Sequence, residues 1–350
     1  MPPSMQASLP LSEAPTSVAA EWPPRARADW VDVAKGIGIA LVVLGHALDG
    51  LIQAGLVTRH SAWGQLFFLI YTFHMPLFFF LAGLFVKARL EKDRNEFLRS
   101  AATRIAWPYF LWSTVQLAVI AAMGAAVNRP TALDASRIVA LLWDPTSQFW
   151  FLQALLLLHL LSRWVVVRFG AASLLVVALL ARVLMETVAL PVALALPCRF
   201  GVFYALGVAF GPALAQRVAA WRRTQALALG FAAAAAWVLA APLADAAGAG
   251  YWSVAAMPAA LAGSIAALAL SLWPRGVPMR GLSMLGRNSM AIFLLHVLFV
   301  AGTRIALNKW LGVDEPALIL PLALLAGIGG PLLVRALAVR AHLSRALGLG

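Results

Sequence analysis

The stretch Asp29-Trp-Val-Asp-Val-Ala-Lys-Gly-Ile-Gly-Ile-Ala-Leu-Val-Val-Leu-Gly-His46 opens the first long apolar run of the chain and carries ionisable groups where lipid should forbid them. Lys35 and His46 are separated by ten residues. On a helix, eleven steps of 100° return to within about 20° of the starting face, and eleven rises of 1.5 Å place the two groups roughly 16 Å apart. A cation near the start of the span and an imidazole deep within it therefore line one stripe. An ionisable group at the bilayer centre costs about 3 kcal/mol even on the lenient insertion scale, so its presence points to function. The alternative is a neutral His46 bonded to a neighbouring helix, with Lys35 snorkelling to the headgroups. These residues by themselves leave both open.

Outward from that run, the 350 residues are 62% apolar and 12% charged. Soluble domains carry about 25% charged residues, which places this chain in the membrane. Continuous apolar runs without alternation specify helices and exclude a barrel. Ten spans are expected, at about 33–52, 64–86, 105–127, 148–167, 171–189, 198–214, 225–244, 251–273, 284–306 and 316–338. The fold class is thus all-α and polytopic, with about ten transmembrane helices. Residues 1–28 are rich in Pro, Ser and Ala and read as a disordered tail, 29–340 as the membrane domain and 341–350 as a second tail. The longest connection, roughly 128–147, is too short for a soluble domain. Within it, Ala135 to Trp143 fits an interfacial helix. Cys198 is the sole cysteine, so an internal disulfide or thiolate metal cluster is impossible.

Basic residues set the orientation. Of 27 Lys and Arg, twenty fall in segments on the side of the N-terminus, including Lys87, Arg89, Lys92, Arg94, Arg99 and Arg104 in one connection. Only Arg59, Arg129, Arg137 and Lys309 fall in connections on the other side. By the positive-inside rule both termini are cytoplasmic, and the net charge of +13 needs no nucleic-acid partner. Arg182, Arg199 and Arg304 lie within or at the edge of spans; Arg182 and Glu186, four apart, can neutralise each other.

With that orientation, His46, His74 and His296 all lie about twelve or thirteen residues in from cytoplasmic ends, roughly 18–20 Å deep. Three imidazoles at one level suggest a shared polar cavity. Acid–base chemistry is favoured over a metal site, because no Cys or spaced carboxylate accompanies them. His159 and His342, near cytoplasmic ends, and His60 in an outer loop read as structural. Pro76 leaves a backbone carbonyl free and makes a kink or a cavity wall, while Gly36, Gly38 and Gly83 permit close helix approach. The Lys87–Arg104 connection anchors topology. It also fits an anion site, in which Arg99 and Arg104 meet a phosphate beside a helix starting near Ile105. Asp32, one turn before Lys35, is placed to hold it.

These residues match a family pattern. Asp32-Val-Ala-Lys35 with His46 resembles the basic-residue, ten-spacer, histidine motif of the membrane-bound acyltransferase-3 family. Phe73-His-Met-Pro-Leu-Phe-Phe-Phe-Leu-Ala-Gly83 is similar to its second-span signature, with Ala82 where serine is usual. Arg99 and Arg104 before Trp107-Pro-Tyr109 resemble its basic loop. Phe149-Trp150-Phe-Leu, Arg199-Phe-Gly-Val-Phe-Tyr-Ala-Leu-Gly207 and Gly286-Arg-Asn-Ser-Met-Ala-Ile-Phe-Leu-Leu-His296 fit later segments. The His-Met-Pro form particularly resembles the fucose 4-O-acetylase-like branch.

The resemblance implies a multi-pass bacterial inner-membrane O-acyltransferase with no bound cofactor. Its donor would be acetyl-CoA or another acyl-CoA from the cytoplasm, and its acceptor a sugar hydroxyl of a polysaccharide or lipid-linked saccharide. It assigns His46 as catalytic base, with Lys35, Arg99 and Arg104 orienting the donor, and His74 and His296 shaping the cavity or passing the proton. Lys35 stands where arginine is usual, keeping the charge but not a bidentate fork. Asp32, Trp150, Arg199 and His296 are the candidates on the acceptor side. Trp150 and Tyr109 could stack on a sugar face or simply anchor at the interface, and Arg199 could bind an acidic acceptor or serve packing. Direct transfer and an acetyl-histidine relay both remain open. A transporter or flippase for an anionic lipid or sugar is the rival class, against which the lack of an internal repeat counts.

The twenty-to-four asymmetry yields a topology test. In a Cys198→Ala background, Asp93→Cys should resist a membrane-impermeant thiol reagent in intact cells and react once the membrane is opened. Labelling from outside in intact cells would invert the orientation.

Overall fold

The computed structural model describes residues 29–273 and 277–350; the expected tail at 1–28, with Arg25 and Arg27, lies outside them, as does Arg275. Among the described residues the chain is helical throughout, with no strand. The helices are α1 (Asp29–Gln53), α2 (Ala62–Leu84), α3 (Val86–Leu90), α4 (Arg94–Ala101), α5 (Trp107–Met123), α6 (Ala135–Ala140) and α7 (Trp150–Leu184). They continue with α8 (Val192–Ala220), α9 (Arg223–Ala246), α10 (Met257–Ser271), α11 (Val277–Arg287), α12 (Ser289–Ile305) and α13 (Pro316–Arg340).

Eight helices among the described residues are long and apolar enough to cross a membrane, so the chain is a multi-pass membrane protein. The difference from ten spans has a local cause. The 38-residue stretch Ser147–Leu184 contains two of the expected spans, joined at Gly170 (φ 84°, ψ 170°), a conformation glycine adopts without steric cost. The expected span 251–273 contains α10, which has only 15 residues. Counting the two arms of α7 and α10 separately recovers the ten apolar segments.

Burial separates centre from rim. The most apolar windows of α1 and α2 are 61% and 67% buried within the protein, against 17% for α7 and for α9. Phe169, Leu180 and Val183 of α7, with Phe231, Leu239 and Leu243 of α9, are exposed, as lipid-facing side chains should be. α1 packs on α11, α12 and α2, and α2 packs on α8 and α10. Glycine sets the closeness: a Cβ on Gly36 would sit 1.9 Å from the Leu282 carbonyl oxygen, and one on Gly83 would sit 2.2 Å from that of Tyr204. Pro76 is buried inside α2. Nearby, the Thr72 hydroxyl accepts from the Trp237 indole across 3.1 Å, tying α9 to α2.

The basic connection differs from expectation. No helix starts near Ile105. α4 runs through a π-turn at Ala102–Ala106 directly into α5, where the Trp107 N–H donates to the Ala102 carbonyl. Pro108 lacks an N–H and crowds the preceding turn, and the wider turn accommodates it. The free N-terminus is at Arg94 instead, where Asp93 Oδ2 accepts from the Asn95 N–H at 2.8 Å. That backbone hydrogen bond holds the Asp93 carboxyl below the ordinary range.

Residues 341–350 are not splayed. Trp107 and Trp112 donate their indole N–H groups to the carbonyls of Ala346 and Leu347 at 2.7 and 2.8 Å, and Arg335 Nε donates to Leu349 O at 3.1 Å. On the opposite face, the connection after α5 forms α6. It is closed by the Arg137–Asp144 ion pair and by Asn128 Nδ2 donating to Gly50 O at 3.3 Å.

Gly83→Ala drives a Cβ into a backbone carbonyl that cannot rotate aside, so it should destabilise the fold by about 1–3 kcal/mol. Gly329→Ala, with nothing within 4 Å, should leave stability unchanged or slightly raised. Thermal unfolding of both purified variants in detergent checks the contrast.

Candidate active site

Three histidines from three helices meet in the interior. His46 comes from about two turns before the end of α1, His74 from the turn before Pro76 in α2, and His296 from the middle of α12. The His46 and His296 rings are 5.0 Å apart between centroids. Tyr71 bridges to the third, at 6.3 Å from His46 and 4.8 Å from His74.

Backbone carbonyls fix two of the rings. Nδ1 of His74 lies 2.8 Å from Ile70 O, and Nδ1 of His296 lies 3.0 and 2.8 Å from Ile292 O and Phe293 O. A carbonyl oxygen only accepts, so Nδ1 carries the proton in both and Nε2 holds the lone pair. Nε2 of His296 is buried without a partner among the described residues. His46 is only half-buried and makes no hydrogen bond among the described residues, so both of its nitrogens are available to a ligand.

His46 and His74 line a cavity of about 690 Å³ that opens away from the basic connection. Its wall includes Tyr71, Trp150, Tyr251 and Trp252, together with Asp49. Trp150 is held by near-parallel stacking on Phe200, with centroids 5.2 Å apart. Gln116 and Gln148 exchange amide hydrogen bonds of 3.2 and 2.9 Å in the same wall. Such a volume suits a small organic ligand, and the aromatic faces with a few polar groups suit a sugar.

A second cavity of about 290 Å³ lies at the basic connection, lined by Arg89, Lys92, Arg99, Arg104 and His159 among others. Arg99 and Arg104 are exposed there. Lys92 is partly neutralised by Glu96 at 2.5 Å. Burial, and then the nearby Arg104 charge, hold the Arg89 guanidinium below its ordinary range, which a bound anion would relieve.

The remaining candidates lie elsewhere. Lys35 and Asp32 stay near one another toward the basic end of α1, outside the linings of both cavities, with Arg89 and Arg287 respectively in electrostatic reach. Arg199 sits behind the large cavity, 5.9 Å over the Trp252 ring. Arg182 pairs with Glu186 and donates to Trp252 O at 3.0 Å. Tyr109 is buried, and its hydroxyl donates to Leu141 O, away from the large cavity. Tyr71, Tyr251, Trp252 and Arg304 were not singled out by sequence for this cavity, nor Arg89 and His159 for the smaller one. Helical periodicity carried a signal for Tyr71 alone, three residues before His74. Among the described residues no group of three or more His, Cys, Asp or Glu side chains is placed to hold a metal ion.

Residues 28–336 match the Acyl_transf_3 family, described as an acyltransferase domain. Among curated proteins, the chain is similar to nodulation protein NolL of Mesorhizobium japonicum, 32% identical over 134 residues, covering 38% of this chain and 34% of that protein. It is also similar to nodulation protein NolL of Sinorhizobium fredii, 32% identical over 159 residues, covering 43% and 41% respectively. The alignments thus span well under half of either relative. No solved structure matches.

Proposed function

The chain belongs to the Acyl_transf_3 family, and on that premise we propose that it is an O-acyltransferase of a bacterial inner membrane. It moves an acyl group, acetyl in the simplest case, from a cytoplasmic acyl-CoA to a hydroxyl of a sugar in a polysaccharide or lipid-linked saccharide. The observation that carries this reading is His46: of the three clustered histidines it alone is not fully buried, and it lines the large cavity with no nitrogen claimed by the described residues.

In the proposed step, the acceptor hydroxyl gives its proton to His46 as its oxygen bonds to the acyl carbon. The thioester C–S bond then breaks, and the proton passes to the departing thiolate. Protonated His46 is stabilised by the uncharged His296 beside it, whose Nδ1 proton is already donated to its own helix. His74 and Tyr71 continue that polar wall. Trp150 offers a stacking face for the sugar.

The donor's phosphates are assigned to Arg99 and Arg104 in the smaller cavity, with Arg89 behind them. Lys35, with Asp32 beside it, lies roughly 16 Å from His46 along α1, toward the basic end of that helix. It acts there as a positioning charge for the donor. Arg199, behind Trp252, supports the aromatic wall and has no assigned contact with the acceptor.

Two sets of variants test the reading. Arg99→Gln and Arg104→Gln should weaken acetyl-CoA binding, measured by titration of the purified protein, and the parental affinity should fall with salt. Unchanged affinity in both would return the connection to topology alone. His46→Gln keeps the size and hydrogen bonding of the side chain but cannot take up the proton. It should accumulate and melt like the parent while acyl transfer per folded molecule falls at least 10²–10⁴-fold, on the order of a lost general base. Near-parental transfer by this variant would remove His46 from the chemistry.

A further inference from the structure

Arg304 ends α12 and lines the large cavity, yet it is only 3% exposed. Its Nε and Nη1 are buried with no acceptor among the described residues. Long basic side chains near a helix end ordinarily snorkel to water; this one is enclosed. Its Cδ lies 3.7 Å from where a Cβ on Gly50 would stand, so the guanidinium stem crosses α1 where α1 has no side chain. Gly50 is one helical turn beyond His46, roughly 6 Å along the axis. The carboxylate in the same wall, Asp49, accepts from Gln53 Nε2 at 2.5 Å and forms no ion pair with Arg304.

The surrounding charge points the same way. Four basic residues occupy the connections of the face opposite the basic connection: Arg59, Arg129, Arg137 and Lys309. Three of them, all but Lys309, line this cavity with Arg304, against Asp49 as its only lining carboxylate. Arg137 is already paired with Asp144. A face poor in cations has gathered them at one mouth, with one guanidinium buried and unpaired inside. A buried arginine without a counter-charge is strongly unfavourable and is completed by an oxyanion that its N–H groups can grip.

We propose that the acceptor is an anionic saccharide, and that Arg304 binds its carboxylate or phosphate about one sugar ring from the hydroxyl presented to His46. The proposal rests on the acyltransferase reading and narrows it to a charged acceptor class. Arg59 and Arg129, exposed at the rim, draw the anion in; Arg304 holds it.

The test uses the full chain in phosphatidylcholine nanodiscs, with glucuronic acid, glucose 1-phosphate and uncharged glucose as probes. Both charged probes should raise the melting temperature in a salt-sensitive way, and glucose should not. Arg304→Gln should weaken the charged probes on the order of 10–100-fold, as loss of hydrogen bonds to a charged group does, and Arg304→Lys should restore part of it. The ligand-free Arg304→Gln protein should melt at or above the parental temperature, because an unpaired buried charge has been removed. Equal binding of glucose, undiminished binding of charged probes by Arg304→Gln, or a marked fall in its ligand-free melting temperature would each overturn the proposal. So would a site filled by lipid headgroups, seen as loss of the probe response when phosphatidylglycerol is added to the nanodiscs. Binding and transfer, measured on the same parental preparation, separate the two readings. Arg304-dependent binding without acyl transfer by the parent would sink the enzyme assignment alone, and transfer indifferent to acceptor charge would sink this one alone.

Discussion

The hydrogen bonds from Nδ1 of His74 and His296 to carbonyls of their own helices are the interaction on which the site depends. Inside a membrane protein a helix carbonyl can accept a second bond, and an imidazole one turn further on can supply it. Each ring is thereby fixed in one tautomer, with its lone pair on Nε2. His46 has no such tether and faces open space. A cluster of three otherwise similar residues is thus divided by local bonding into two fixed acceptors and one free group. Only His46 has both ring nitrogens free of the protein among the described residues.

Close packing makes this meeting possible. α1 and α2 carry two of the histidines and are the most enclosed of the long helices. They reach that position because Gly36 and Gly83 let backbones touch where any side chain would collide. The rim is built differently, from α7 and α9, whose outward side chains meet lipid. The two cavities then fall at opposite ends of α1. One is walled by aromatics and histidines, the other by guanidinium groups around a continuous α–π–α segment.

Much of this was legible beforehand. Apolar run lengths gave the helical membrane fold, and depth counting along three spans placed His46, His74 and His296 at one level. Both arguments work because rise per residue and bilayer thickness are fixed lengths. The helix boundary at Ile105 was misread because Pro108 usually marks a first turn, whereas here a π-turn carries the helix past it from Arg94. Two spans appeared as one helix because Gly170 changes direction without leaving a loop. Residues 341–350 read as a tail, since nothing in their composition reveals that their carbonyls accept from Trp107, Trp112 and Arg335.

What the sequence by itself determined is therefore one-dimensional: which segments cross the membrane, how deep each polar residue lies, and on which side the basic residues gather. What only the tertiary structure decided is angular. Lys35 and His46 share a stripe of α1, yet the packing of neighbouring helices opens a cavity at His46 and none at Lys35. Arg304 could be placed only within or at the edge of a span by sequence; its enclosure beside Gly50 is a matter of packing. Depth follows from counting residues; the direction a side chain faces depends on which helices pack beside it, and that is set by contacts between segments far apart in the chain.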